Sequence, residues 1–150
     1  MSREGGVIFE DIFEVKNVDP DGRKFDKVSR MICDSEGYEM ELVLDFNNDV
    51  LNVEISDKLT IALATTLDKG GMLMEGYYDP FLGTDDKPSL LDDYDYVMHG
   101  RVYKFKPQKN DKRAVYVSFG GLLMRLIGDP RNMQHIDPDT NLYLLISKVQ

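Results

Sequence analysis

The stretch Ala114–Pro130, AVYVSFGGLLMRLIGDP, decides how the chain is read. Before the adjacent Gly120 and Gly121, the apolar Val115, Val117 and Phe119 alternate with Tyr116 and Ser118. After them Leu122, Met124 and Leu126 continue the alternation, with Arg125 on the opposite face. Period-two alternation marks a strand with one buried face. The buried set changes parity across the glycine pair. A β-bulge, one extra residue that bends the strand, makes such a switch, and glycine accepts the positive φ that some bulges need. A phosphate-cradling loop would instead require G-x-x-x-x-G-K-[ST] or G-x-G-x-x-G ahead of a helix. Neither spacing is present, and another strand-like run follows. The glycines are read as a backbone bulge of the kind that helps barrels close.

Outward from this stretch the same period recurs. In Tyr38–Phe46, Tyr38, Met40, Leu42, Leu44 and Phe46 share one face against Glu39, Glu41 and Asp45, with Val43 the exception. Leu51, Val53 and Ile55 alternate with polar residues, and Leu59, Ile61 and Leu63 with Thr60, Ala62 and Ala64. Each is predicted to be a strand with one buried and one wet face. Weaker strand signals lie at Val7–Val15, Phe25–Cys33, Tyr94–Phe105, Ala114–Ile127 and Asn141–Val149. Gly100 is read as a second bulge or as a single glycine in a plain strand. Asp19-Pro20-Asp21-Gly22, Ser35-Glu36-Gly37 and Asn47-Asn48-Asp49 are turn sequences. Short strands joined by such turns predict an all-β antiparallel barrel or sandwich with at most one or two helical turns. Asp68–Asp93, with four glycines, two prolines and many aspartates, is expected to be a long irregular mobile loop.

The chain has 150 residues, the size of one domain (1–150), and needs no disulfide or metal to fold. Its one cysteine, Cys33, excludes an internal disulfide and predicts a reducing compartment. MSREGGVIFEDIF shows no secretory pattern, and no apolar run is long enough for a membrane helix. A net charge of −9, from 27 acidic and 18 basic residues, opposes non-specific nucleic-acid binding as the main task.

Motifs that carry chemistry are missing. His99 and His135 lie in no metal-spacing pattern, there is no G-x-S-x-G elbow, and no cysteine–histidine pair recurs. Asp85-Asp86 and Asp92-Asp93-Tyr94-Asp95 lack the calcium-loop pattern and are read as solvated acidic loop. No catalytic residue, metal site or cofactor is predicted. The basic residues form two groups. Arg23, Lys24, Lys27 and Arg30 follow the first turn; Lys104, Lys106, Lys109, Lys112 and Arg113 surround Pro107. With Tyr103, Phe105 and Tyr116 nearby, Lys104, Lys106, Lys112, Arg113 and Tyr116 form a candidate single-strand-binding patch. The plainer reading is a hairpin whose lysines guard a sheet edge, and the negative net charge favours it.

Three segments are more specific. FEDIFEVKNVDPDGRKFDKVSR at Phe9–Arg30, YDYVMHGRVYKF at Tyr94–Phe105 and YVSFGGLLMRLIGD at Tyr116–Asp129 closely resemble the small eighth common subunit of eukaryotic nuclear RNA polymerases. With the ending NLYLLISKV, the resemblance covers nearly the whole chain in order; Asp68–Asp93 is its least family-like part. The resemblance implies an eight-stranded antiparallel barrel related to the oligonucleotide/oligosaccharide-binding (OB) fold. It also implies a non-catalytic subunit of RNA polymerases I, II and III, in the nucleus including the nucleolus. Its partners would be the largest subunit, on which it chiefly docks, and other polymerase subunits, with nucleic acid met only through the complex and no membrane. The family's glycine segment falls on Gly120, Gly121, Leu122, Leu123, Met124 and Arg125 and is associated with holding the subunit in the assembly. Arg125, outward-facing, is the better contact residue, while Leu122 and Met124 are equally readable as core. Two other classes are open to such a fold: an autonomous single-strand-binding module, and a carrier holding one small molecule in the barrel.

Overall fold

The computed structural model describes residues 6–22, 26–67 and 93–149. The predicted loop Asp68–Asp93, apart from Asp93, lies outside the described residues, as do Arg23 and Lys24 of the first basic group. Eight strands follow in chain order: β1 (Val7–Val18), β2 (Val28–Ser35), β3 (Glu41–Asn47), β4 (Lys58–Ala64), β5 (Tyr96–Pro107), β6 (Arg113–Phe119), β7 (Leu122–Gly128) and β8 (Asn141–Lys148). They close into an antiparallel barrel in the order β1-β2-β3-β7-β6-β5-β8-β4. The ring shuts because β1 pairs with β2 along one edge and with β4 along the other. Short 3-10 turns at Lys109–Asp111 and Pro130–Met133 lie in the connections.

Inward side chains from all eight strands fill the interior. Phe9 and Phe13 of β1, Phe46 of β3 and Met124 of β7 are among the largest fully buried ones. An eight-stranded barrel is just wide enough for its own side chains to occupy. Among the described residues the packing is that of a filled barrel.

Gly120 and Gly121 are not a bulge. β6 and β7 are two separate strands paired in unbroken register, from Arg113↔Gly128 to Phe119↔Leu122, and the glycines are the two-residue turn between them. Their φ values of +62° and +101° are those of a type I′ hairpin turn, whose twist matches that of the strands. Such a turn pairs odd-numbered with even-numbered residues all along the ladder. Val117 faces Met124 and Val115 faces Leu126, so the parity switch records a reversal of chain direction. The bulges lie elsewhere: between Val7 and Phe9, between Val15 and Asn17, and between Val102 and Lys104. Gly100 pairs with Leu142 in continuous register, so no bulge sits there either. A Cβ at Gly100 would run into the Ser118 carbonyl and the Phe119 ring, so β5 needs glycine for close approach to β6.

Three other expectations are corrected. Leu51–Ile55 is no strand: its backbone is spent on turns, with Leu51 N–H donating to the Asn47 carbonyl and Asp57 N–H to Glu54. The chain then rejoins β1 through Ser56 N–H donating to the Val15 carbonyl. Leu51 and Val53 still enter the core, but Ile55 is 59% exposed. Tyr38 lies outside β3, partly exposed against Phe9. The face of β4 expected to be wet is also dry at Ala62 and Ala64, which pack with Leu67, Leu145, Val97 and Tyr143 in a second apolar cluster outside the barrel.

Asp45 ties three strands together. It pairs with Arg30 of β2, whose Nε and Nη2 donate to its carboxylate at 2.6 and 3.2 Å. Its Oδ2 also accepts from the backbone N–H of Leu123 at 3.1 Å. The printed β3–β7 ladder ends at Leu44↔Met124, so the side chain of Asp45 takes over where the backbone pairing stops, next to the glycine turn.

These features make three checkable predictions. Adding a Cβ at Gly120 or Gly121 meets no atom within 4 Å, so substitution there is a matter of backbone conformation alone. Gly121→Val should lower stability by about 1–2 kcal/mol in urea unfolding, whereas Gly120→Asn, which tolerates the left-handed region, stays near wild type. Asp45→Ala leaves the Leu123 amide and Arg30 without their acceptor and should cost about 2–3 kcal/mol, with Asp45→Asn milder. Cys33 is fully buried, and burial pushes its thiol up to about 12. Iodoacetamide at pH about 8 should therefore leave the native protein unlabelled and modify Cys33 only on unfolding.

Candidate functional site

The outer face of β3, β7, β6 and β5 brings the two groups of candidate residues together. Arg125 of β7 stands between Val43 of β3 and Tyr116 of β6, and Tyr116 is in turn opposite Lys104 of β5. One pair along, Leu123 is opposite Ser118, which is opposite Arg101. Residues so paired are side-by-side neighbours on one sheet face. The glycine segment and the basic patch, read as separate, thus share a continuous surface.

Within the glycine segment the strand alternation sorts the roles. Met124 is buried in the core and Leu122 packs against it. Leu123 is 41% exposed, and its backbone is anchored by Asp45 while its side chain stays outside. Arg125 is half-exposed, with Nη2 3.6 Å from a Glu41 carboxylate oxygen, and its buried Nε has no hydrogen-bond partner among the described residues. Leu123 and Arg125 are thus the outward side chains of this strand, next to the exposed Gly120 and Gly121. The turn supports it from below: Arg30 and Asp45 fix the β7 end that carries Leu123.

The bulge at Tyr103 shapes the other half of the face. Between Val102↔Val117 and Lys104↔Tyr116 one extra residue enters β5, and Val102 is buried while both Tyr103 and Lys104 are exposed. The Tyr103 and Tyr116 rings lie 6.1 Å apart, tilted by 50°. Lys104 Nζ lies 5.5 Å from the centre of the Tyr116 ring, and the Arg113 guanidinium 5.3 Å from that of Phe105. Lys106 is exposed at the same end, and Lys112 is half-buried beyond the 3-10 turn. The candidate patch of Lys104, Lys106, Lys112, Arg113 and Tyr116 is thus assembled on one hairpin.

The first basic group behaves differently. Arg30 is held by Asp45, which raises its pKa further through hydrogen bonding, and Lys27 lies 3.6 Å from Asp49. Beyond the end of β7, Asp129 accepts from both the backbone and the guanidinium of Arg131, which holds its carboxyl at about 2. Among the described residues no group of three or more His, Cys, Asp or Glu side chains is arranged to hold a metal ion. His99 instead lies against Tyr143, ring centres 4.7 Å apart. The signal for Asp45 was absent from the sequence: it occupies an ordinary wet-face position of β3, and only strand order places Arg30 and Leu123 on either side of it.

Comparison with known proteins covers nearly the whole barrel. The model of the family described as RNA polymerase Rpb8 matches residues 10–148. A Caenorhabditis elegans protein named as a probable RPABC3 subunit of DNA-directed RNA polymerases I, II and III is 46% identical over 147 residues, covering 95% of this chain and 97% of its own. An Arabidopsis thaliana protein named subunit 8B of DNA-directed RNA polymerases II, IV and V is 45% identical over 145 residues, with the same coverage. The Saccharomyces cerevisiae RPABC3 subunit of polymerases I, II and III is 41% identical over 149 residues, or 95% of this chain and 98% of the relative. A closed eight-stranded barrel matched from β1 to β8 by one family model places the chain in the RNA polymerase Rpb8 family.

Proposed function

We propose that this chain is the common subunit of DNA-directed RNA polymerases I, II and III, a single-domain component (1–150) that supports assembly and transcription without an active site of its own. The observation that carries the reading is similarity along nearly the entire length, at 41–46% identity, to proteins named as that subunit. Other polymerase subunits are its partners. It works in the nucleus, including the nucleolus, where those enzymes transcribe.

Docking on the largest subunit runs through the β6–β7 hairpin. Leu123 supplies an exposed apolar contact and Arg125 a forked cation, the residue types that anchor protein interfaces. The type I′ turn and Asp45 hold them in place before the partner arrives, which limits the ordering cost of association. The acidic remainder of the surface suits a component that touches protein more than nucleic acid.

Affinity purification of the tagged chain tests both levels. The wild type should bring down polymerase subunits in stoichiometric amounts. Leu123→Asp with Arg125→Glu should cut recovery of the largest subunit about tenfold while the urea midpoint stays near wild type. Undiminished recovery by that variant would remove the hairpin from the interface, and wild-type purification without polymerase subunits would remove the assignment itself.

A further inference from the structure

Between Arg101 and Arg113 six cations, Arg101, Lys104, Lys106, Lys109, Lys112 and Arg113, stand against one carboxylate, Asp111, in a chain of net charge −9. None of the six forms an ion pair among the described residues, whereas Lys16, Lys27, Arg30 and Lys58 all do. The cations sit on a hairpin arm with an open side. β5 is covered by β8 only as far as Arg101↔Asn141, with Val102 bonded to Asp139 and Thr140 just beyond. From Tyr103 to Pro107 it has β6 along one edge and, among the described residues, no strand along the other. Lysines and a proline on such an edge discourage self-association. They also leave a short row of backbone groups flanked by positive charge.

We propose that this arm, Arg101–Arg113, binds an acidic peptide segment of a protein partner, laid in extended form along the open edge of β5. Strand addition would supply the backbone hydrogen bonds, and Lys104 and Lys106 the pairing for acidic side chains. The arrangement fits a peptide better than a nucleic-acid strand for two reasons. Tyr116 and Phe105 each have one of the chain's own cations beside the ring, and the Tyr103 and Tyr116 rings are tilted to one another, so no flat platform is presented for successive bases. The negative charge of the whole chain also opposes a long polyanion, while a short acidic segment meets mainly the local positive field. The inference goes beyond polymerase membership and stands on the chain alone.

Fluorescence anisotropy with the full chain tests it. The probe is a labelled synthetic peptide of roughly ten residues alternating glutamate and valine, compared with a serine–valine peptide and a thymidine oligonucleotide of equal length. The glutamate peptide should bind, the serine peptide should not, and binding should weaken as salt shortens the range of the field. Lys104→Glu with Lys106→Glu should lower affinity about tenfold or more. Lys16→Glu with Lys27→Glu, the same change in net charge at other exposed positions, should leave it within about twofold. Absence of binding, equal binding of the serine peptide, equal loss in both double variants, or tighter binding of the oligonucleotide would each overturn the proposal.

Discussion

Closure of the sheet is the constraint on which the rest of this molecule depends. β1 pairs with β4 along Val7–Glu14 and with β2 along Phe13–Val18, so the ring shuts and no strand is left at the end of an open sheet. Closure in turn requires curvature, which the bulges in β1 and β5 provide. It also fixes the interior volume, and the large inward set of Phe, Leu and Met fills that volume with side chains. A barrel of this kind has its chemistry on the outside. Its interior is structural, including Cys33, whose thiol is kept neutral by burial.

The outer surface is uneven, and its unevenness comes from how the strands are joined. At one end of β6 a two-glycine turn returns the chain at once into β7, holding Leu123 and Arg125 beside Tyr116 and Ser118. At the other end β5 runs on past β8, and the 3-10 turn at Lys109–Asp111 reverses the chain into β6. The first end is stiffened by the Arg30–Asp45–Leu123 link across three strands. The second carries cations that form no ion pair among the described residues. Two kinds of outer surface thus arise from two ways of ending a strand, one tight and anchored, the other overhanging.

Asp45 shows why such links escape a reading of the chain. Alternation assigns it correctly to the outer side of β3, yet it is only 7% exposed because Arg30 and the β7 end close over it. Those neighbours are fifteen and seventy-eight residues away in the chain. No local pattern encodes that distance. Ala62 and Ala64 make the same point: small apolar residues at wet-face positions are neutral in sequence, and only the outer contacts of β4 and β8 make them core.

The alternation of apolar side chains was enough to show that the chain is built of strands, to assign most inward residues of β3, β4, β6 and β7, and to turn Arg125 outward. That information is local, because side-chain direction reverses at each residue of an extended backbone. The segments carrying the family likeness were equally legible, since they are runs of adjacent residues. Folding in three dimensions decided what periodicity leaves ambiguous. A parity switch arises from a bulge and from a two-residue hairpin alike, and only the pairing of Phe119 with Leu122 distinguishes them. Alternation in Leu51–Ile55 arises in a turning segment that dips twice into the core as readily as in a strand. The meeting of Arg125, Tyr116 and Lys104 on one face was likewise settled by strand order, because register is a relation between segments and no single segment contains it.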